Sequence, residues 1–243
     1  MNRFDGIMQA IRDKDTRWLL IKCYRLGQCV EYPEDPTVVH QPATWNKLSK
    51  VISAHIQQLS LEPIDEMSIC VARGTAAWEY ADFNEFIKAV NAGDIMAACK
   101  EAFKLGYQYQ RAYDECYDEE EFSGYHEYRD EGVDYEETLR VLLGFYKDNP
   151  TDCYLAQLAY DWHKVKKRVN RKRFVIKHDN LSATVEILDG SLDVDVYRNG
   201  KIIGGIIAHT DGTIYLTKSD ENVPKELLDN IRTAIWQYVD TLR

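Results

Sequence analysis

The sequence predicts an α+β protein: a mainly helical region over residues 1–170, followed by a five-stranded antiparallel meander packed against a C-terminal helix over 171–243. Three observations carry this. Apolar residues recur at helical spacing as far as about Val169, the period drops to two after Arg171, and after Pro224 the helical period returns.

In the first region, Phe4, Ile7, Met8 and Ile11 fall on one helical stripe, and Trp18–Leu26 continues the apolar run past a break at residues 13–15. Pro33 and Pro36 mark a loop. Leu48, Val51, Ile52, Ile56 and Leu59 form the next stripe. Residues 67–72 read equally well as strand or helix. Asp82 is expected to open a helix that stops at Gly93, and Asp94 to cap the following one. Asp134 starts a helix bearing Leu139, Leu142 and Leu143; Asn149-Pro150 ends it, and Thr151 caps another with Leu155, Leu158, Ala159 and Trp162.

In the second region, Asp179-Asn180, Asp189-Gly190, Asn199-Gly200 and Asp211-Gly212 are turn signals between alternating runs. Two-residue loops at the first two set Phe174 opposite Val185, Ile176 opposite Ala183 and Ile187 opposite Leu192. One face is then apolar, while Arg173, Glu186 and Asp193 line up on the other. Gly204-Gly205 inside a strand suggests a bulge or a close backbone approach. Leu227, Leu228, Ile231, Ile235, Tyr238, Val239 and Leu242 form the helical stripe expected to cover the apolar face.

Composition narrows the function classes. The 243 residues carry 30 Lys plus Arg against 40 Asp plus Glu, a formal net charge of −10, which argues against direct nucleic-acid binding. No run reaches the ~18 apolar residues of a membrane helix, and the first eleven residues do not read as a secretory signal. The six cysteines show no C-x-x-C pair, so a reduced, cytoplasmic protein is expected. Phosphate-binding G-x-x-x-x-G-K, dinucleotide-binding G-x-G-x-x-G, H-E-x-x-H and G-x-S-x-G motifs are absent from the sequence. His126 among Glu127 and Asp130 falls short of the several converging ligands a metal site needs. His209-Thr210-Asp211 reads as a turn. No metal or other cofactor is expected.

The acidity is local. Residues 112–137 hold twelve carboxylates and a single cation, Arg129, so this window sums to −11 and the rest of the chain to about +1 (−10 minus −11). Seven of the sixteen tyrosines lie in or beside it. A basic run at 163–173 contains Lys164, Lys166, Lys167, Arg168, Arg171, Lys172 and Arg173 with no acid. An acidic run is commonly a solvated face, and this one could be neutralised by the basic run.

As a presented surface it has a sharper meaning. Carboxylates three and four apart on a helix sit about 5–6 Å apart at Cβ, and duplex DNA carries one charge per ~1.7 Å of axis. An acidic helical ridge with rigid phenols can therefore imitate a phosphate row. The expected partner-binding residues are Asp114, Glu115, Tyr117, Asp118, Glu119, Glu120, Glu121, Tyr125, Glu127, Tyr128, Asp130 and Glu131, with no catalytic residue. The expected function is a non-enzymatic inhibitor that engages a basic, nucleic-acid-handling partner protein by charge mimicry, by analogy with anti-defence proteins of phages and mobile elements. Two alternatives stay open: a metal-dependent phosphodiesterase or nuclease using Glu186, Asp193 and Asp195, and a structural or assembly protein that forms homo-oligomers.

Overall fold

The computed structural model describes residues 4–29, 43–118, 135–165, 171–219 and 221–242, with backbone alone at 43 and 110–118. The fold is α+β: helices, then a five-stranded antiparallel sheet, then a closing helix. The chain divides into two compact units, Met1–Ile64 with Ala76–Leu143, and Asp65–Thr75 with Gly144–Arg243.

The first unit is helical among its described residues. It contains α1 (Asp5–Asp13), α2 (Thr16–Gln28), α3 (Ala43–Ser53), α5 (Asn84–Asn91), α6 (Ile95–Asp118) and α7 (Tyr135–Leu142). α1 stops at Lys14, which turns left-handed at φ 54°. Asp15 then caps α2 by accepting from the Trp18 amide. Its core is the packing of α2 on α6, where Leu20, Cys23 and Tyr24 are buried with Ala98, Cys99, Ala102 and Phe103. Two glycines make the close approach possible. A Cβ on Gly27 would lie 2.1 Å from the Phe103 carbonyl oxygen, and one on Gly106 would lie 2.0 Å from that of Tyr24. α6 begins as its sequence predicts, with Asp94 Oδ1 accepting from the Ala97 amide at 2.9 Å. α5 begins two residues later than expected. Asp82 serves the turn before it, accepting from the Asn84 amide, and Phe83 occupies the cap position.

The second unit resolves the ambiguous stretch at 67–72 as helix α4 (Glu66–Ala72), capped by Asp65. α8 (Pro150–His163) follows the short turn at Phe145–Asp148. Its start differs from the sequence reading: Asn149 is the cap, accepting from the Thr151 and Asp152 amides, and Pro150 takes the first helical position. That position suits Pro because its missing N–H is one the helix would leave unbonded. Thr151 and Asp152 are thereby freed to hold the chain beyond the sheet. Thr151 Oγ1 accepts from the Val223 amide and Asp152 Oδ1 from the Ser219 amide.

The sheet runs β1 (Lys172–His178), β2 (Leu181–Leu188), β3 (Ser191–Arg198), β4 (Lys201–Ala208) and β5 (Ile214–Thr217), in sequential order. Phe174 pairs with Val185, Ile176 with Ala183 and Ile187 with Leu192, the register the turns dictate. Asp189, Gly190, Asn199 and Gly200 all have positive φ, the signature of tight hairpin turns. The bulge falls just before the glycine pair: Gly205 and Gly204 pair regularly with Asp195 and Val196, and Tyr197 pairs with Ile202, leaving Ile203 as the extra residue. Gly204 also makes room for Ser219, whose Oγ would be 2.2 Å from a Cβ there.

One sheet face is buried, with Ala183, Val185, Ile187, Leu192, Val194 and Val196 inaccessible. The closing helix α9 (Lys225–Thr241) packs chiefly on β1 and β2, where Tyr238 meets Phe174 edge to face at 5.8 Å. α8 covers β4 and β5, and its Trp162 indole donates to the Gly190 carbonyl at 2.8 Å. The helix expected to belong with the first region therefore supplies half of this cover.

Candidate functional site

α6 carries the chain continuously from the α2 packing surface into the acidic segment. Asp114, Glu115, Tyr117 and Asp118 fall within its last two turns, where only the backbone is described. Glu119, Glu120, Glu121, Tyr125, Glu127, Tyr128, Asp130 and Glu131 lie outside the described residues, as does His126. What the structure describes is the base of the segment.

On the outgoing side stands Tyr109, on α6. On the returning side stands Tyr135, the first residue of α7, which is buried at 3% exposure. Their rings meet edge to face at 5.3 Å. Tyr135 also packs edge-on against Phe83 at 6.2 Å, and its hydroxyl donates to the Tyr80 carbonyl at 3.2 Å.

The next residue, Glu136, is gripped by two guanidiniums. Arg25 donates to it from Nε and Nη2, both at 2.7 Å, and Arg140 from Nε at 2.8 Å. Burial alone would raise its carboxyl pKa, but the hydrogen bonds from Arg25 and Arg140 outweigh it and hold Glu136 below the usual carboxylate range. Arg140 also lies over the Trp18 ring at 4.7 Å, with Lys22 at 5.3 Å. Tyr135 and Glu136, counted in the acidic window by sequence, are thus structural. Tyr135 closes an aromatic cluster, and Glu136 pins α7 to α2.

These anchors are not legible locally, because Arg25 and Glu136 stand 111 positions apart. The aromatic cluster did leave a signal, since Trp78-Glu79-Tyr80-Ala81-Asp82-Phe83 alternates rings with acidic or small residues.

Part of the basic run is accounted for within the second unit. Lys164 lies 3.9 Å over the Tyr160 ring, Lys172 flanks Phe174 and Tyr238, and Arg173 pairs with Glu186 at 3.0 Å. Residues 166–170 lie outside the described residues.

The sheet-face carboxylates are brought together as the register requires. Arg173, Glu186 and Asp193 form one cross-strand row, and Thr184 stands opposite Asp195 in the next. Asp195 accepts from the Tyr197 hydroxyl at 3.0 Å. Burial raises the Asp193 carboxyl pKa, and the like charges of Asp195 and Glu186 raise it further. Among the described residues, no group of three or more His, Cys, Asp or Glu side chains is placed to hold a metal ion. His209 sits in a turn: its amide donates to the Thr213 carbonyl, and Asp211 accepts from the Thr213 amide. Cys23, Cys70 and Cys99 are buried, free thiols. Among the described residues, no helix is long and apolar enough to cross a membrane.

Comparison of the chain with protein-family models, curated proteins and solved structures gives no match.

Proposed function

We propose that this chain is a non-enzymatic binding protein whose acidic, Tyr-rich segment engages the basic surface of a nucleic-acid-handling protein and competes with its nucleic acid. The observation that carries the reading is charge segregation: −11 within residues 112–137 in a chain whose remainder sums to about +1. Concentrating like charges costs folding stability through self-repulsion, and electrostatic docking is the gain that offsets it. The anchored base supports the reading. Tyr109 and Tyr135 hold the two ends of the segment together, and Glu136, paired with Arg25 and Arg140, fixes the returning end without adding to the presented charge.

The test is capture of partners from the native cell at low and high salt. Neutralising Asp118, Glu119, Glu120 and Glu121 to Asn or Gln should abolish capture, and raising salt should weaken it. Capture that is indifferent to both overturns the proposal. The metal-dependent phosphodiesterase reading rests on Glu186, Asp193 and Asp195 sharing one sheet face; it requires divalent-metal binding that Asp193→Ala removes with the fold intact. The assembly reading requires concentration-dependent oligomers formed without any foreign protein.

A further inference from the structure

The loop entering α5 borders an open surface hollow of about 400 Å³ lined by residues 78–84. Trp78 and Phe83 stack with ring centroids 5.7 Å apart and planes 13° apart. Phe83 is 2% exposed and so fixes the stack, whereas Trp78 is half-buried and Tyr80 is 47% exposed. Glu79 and Asp82 are exposed carboxylates on the same lining. The loop is held by the protein itself: Asp82 Oδ1 accepts from the Asn84 amide at 2.9 Å, and the Tyr80 carbonyl accepts from Tyr135. A receptor already in its binding conformation loses little ordering entropy when it binds.

Rings and carboxylates together select one ligand chemistry. An aromatic face attracts a cation placed within about 6 Å of its centroid. Two carboxylates beside the rings add attraction for the same charge and repel an anion. A neutral apolar group would use the rings alone. The best-matched ligand is an ammonium on an alkyl stem, whose methylenes lie along the rings while its charge meets Glu79 and Asp82.

We propose that residues 78–84 form a receptor for an alkylammonium group, occupied by a lysine side chain of the basic partner. The lysine assignment rests on the partner reading above; the cation chemistry does not. Tyr135 links the two sites, since its hydroxyl bonds the Tyr80 carbonyl while its ring touches Tyr109 at the base of the acidic segment.

The test uses the full chain labelled with ¹⁵N. Of the five tryptophan indoles, that of Trp78 is identified by its loss in Trp78→Phe. Tetramethylammonium chloride, at matched ionic strength, should shift this signal saturably, and neopentyl alcohol, a water-soluble neutral analogue of similar size, should not. N-acetyl-lysine methylamide should act like the cation, and the norleucine analogue should not. The double variant E79Q/D82N keeps the Asp82 acceptor position for the Asn84 amide. It should weaken cation binding about threefold or more, the scale of a screened ion pair. No saturable shift, an equal shift from the neutral alcohol, or no effect of E79Q/D82N overturns the receptor.

The partner assay separates the two claims. E79Q/D82N should reduce capture severalfold. If capture depends on residues 118–121 but ignores E79Q/D82N, the partner reading stands and the lysine assignment falls. If Trp78 responds to cations and nothing is captured, the receptor stands and the partner reading falls.

Discussion

Tyr109 and Tyr135 meet edge to face at 5.3 Å across an intervening stretch of 25 residues (110–134). The contact brings together the residues that flank the acidic segment. It is a mixed anchor, apolar in its rings and polar in the Tyr135 hydroxyl that bonds Tyr80. Tyr135→Phe should cost about 1 kcal/mol, the net value of one hydrogen bond. Tyr135→Ala should cost about 3–5 kcal/mol, as for other large buried aromatics. Denaturant unfolding checks both, and equal small effects would show that the ring cluster does not anchor the segment.

Glu136 gives the fold a pH dependence of known sign. Its folded pKa is lowered, because Arg25 and Arg140 outweigh burial. Its contribution is therefore fully present above the unfolded carboxylate value and is lost as pH falls through the folded value. Glu136→Gln should cost about 1–3 kcal/mol at pH 7, the range for a hydrogen-bonded charged group. The difference from the parent protein should shrink below about pH 4. Thermal melts of both proteins from pH 7 to pH 3 measure it, and a gap that stays constant with pH would rule out the clamp.

Asp193 has the opposite sign. Burial, then Asp195 and Glu186, raise its folded pKa, so its contribution is greatest when protonated and declines as pH rises through the folded value. Asp193→Asn should stabilise the protein at pH 7 by about 0.2–1 kcal/mol, the range of a cross-strand pair. The gain should vanish in acid. Stabilisation at pH 7 would also suit a carboxylate row without a resident cation, while destabilisation would point to a structural role for the charge.

The α2–α6 crossing depends on missing side chains. Gly106→Ala places a methyl 2.0 Å from the Tyr24 carbonyl oxygen. Because the obstacle is backbone, the helices must separate, and the cost should reach or exceed the roughly 1–3 kcal/mol of ordinary overpacking. Gly93→Ala is a control with open space around it, though strained by its φ of 69°. Equal destabilisation of the two variants would contradict the crossing.

The sheet was legible because short-range chemistry fixes it. Asp189-Gly190 and Asn199-Gly200 set the turns, and alternation then sets every pair from Phe174–Val185 to Ile187–Leu192. What covers the sheet was only half legible. The α9 stripe is unbroken, but α8 is apolar on several sides, so its pattern does not say which surface it faces. Asn149-Pro150 reads as a stop because Pro commonly follows a helix, whereas here it opens one. Glu136 and Arg140 are an i,i+4 pair that the sequence does mark, but the Arg25–Glu136 bond and the Tyr109–Tyr135 contact join residues distant in sequence, and no local pattern marks such pairs. The charge of the acidic segment, by contrast, is a plain count along the chain.

The most direct test of the central claim is competition on a captured partner. With the purified partner immobilised, the chain should bind with an affinity that falls steeply as salt rises. A short DNA or RNA duplex should displace it, and the Asp118→Asn, Glu119→Gln, Glu120→Gln, Glu121→Gln combination should not bind. Undiminished binding by that variant in the presence of excess duplex would show that the acidic segment is not the docking surface.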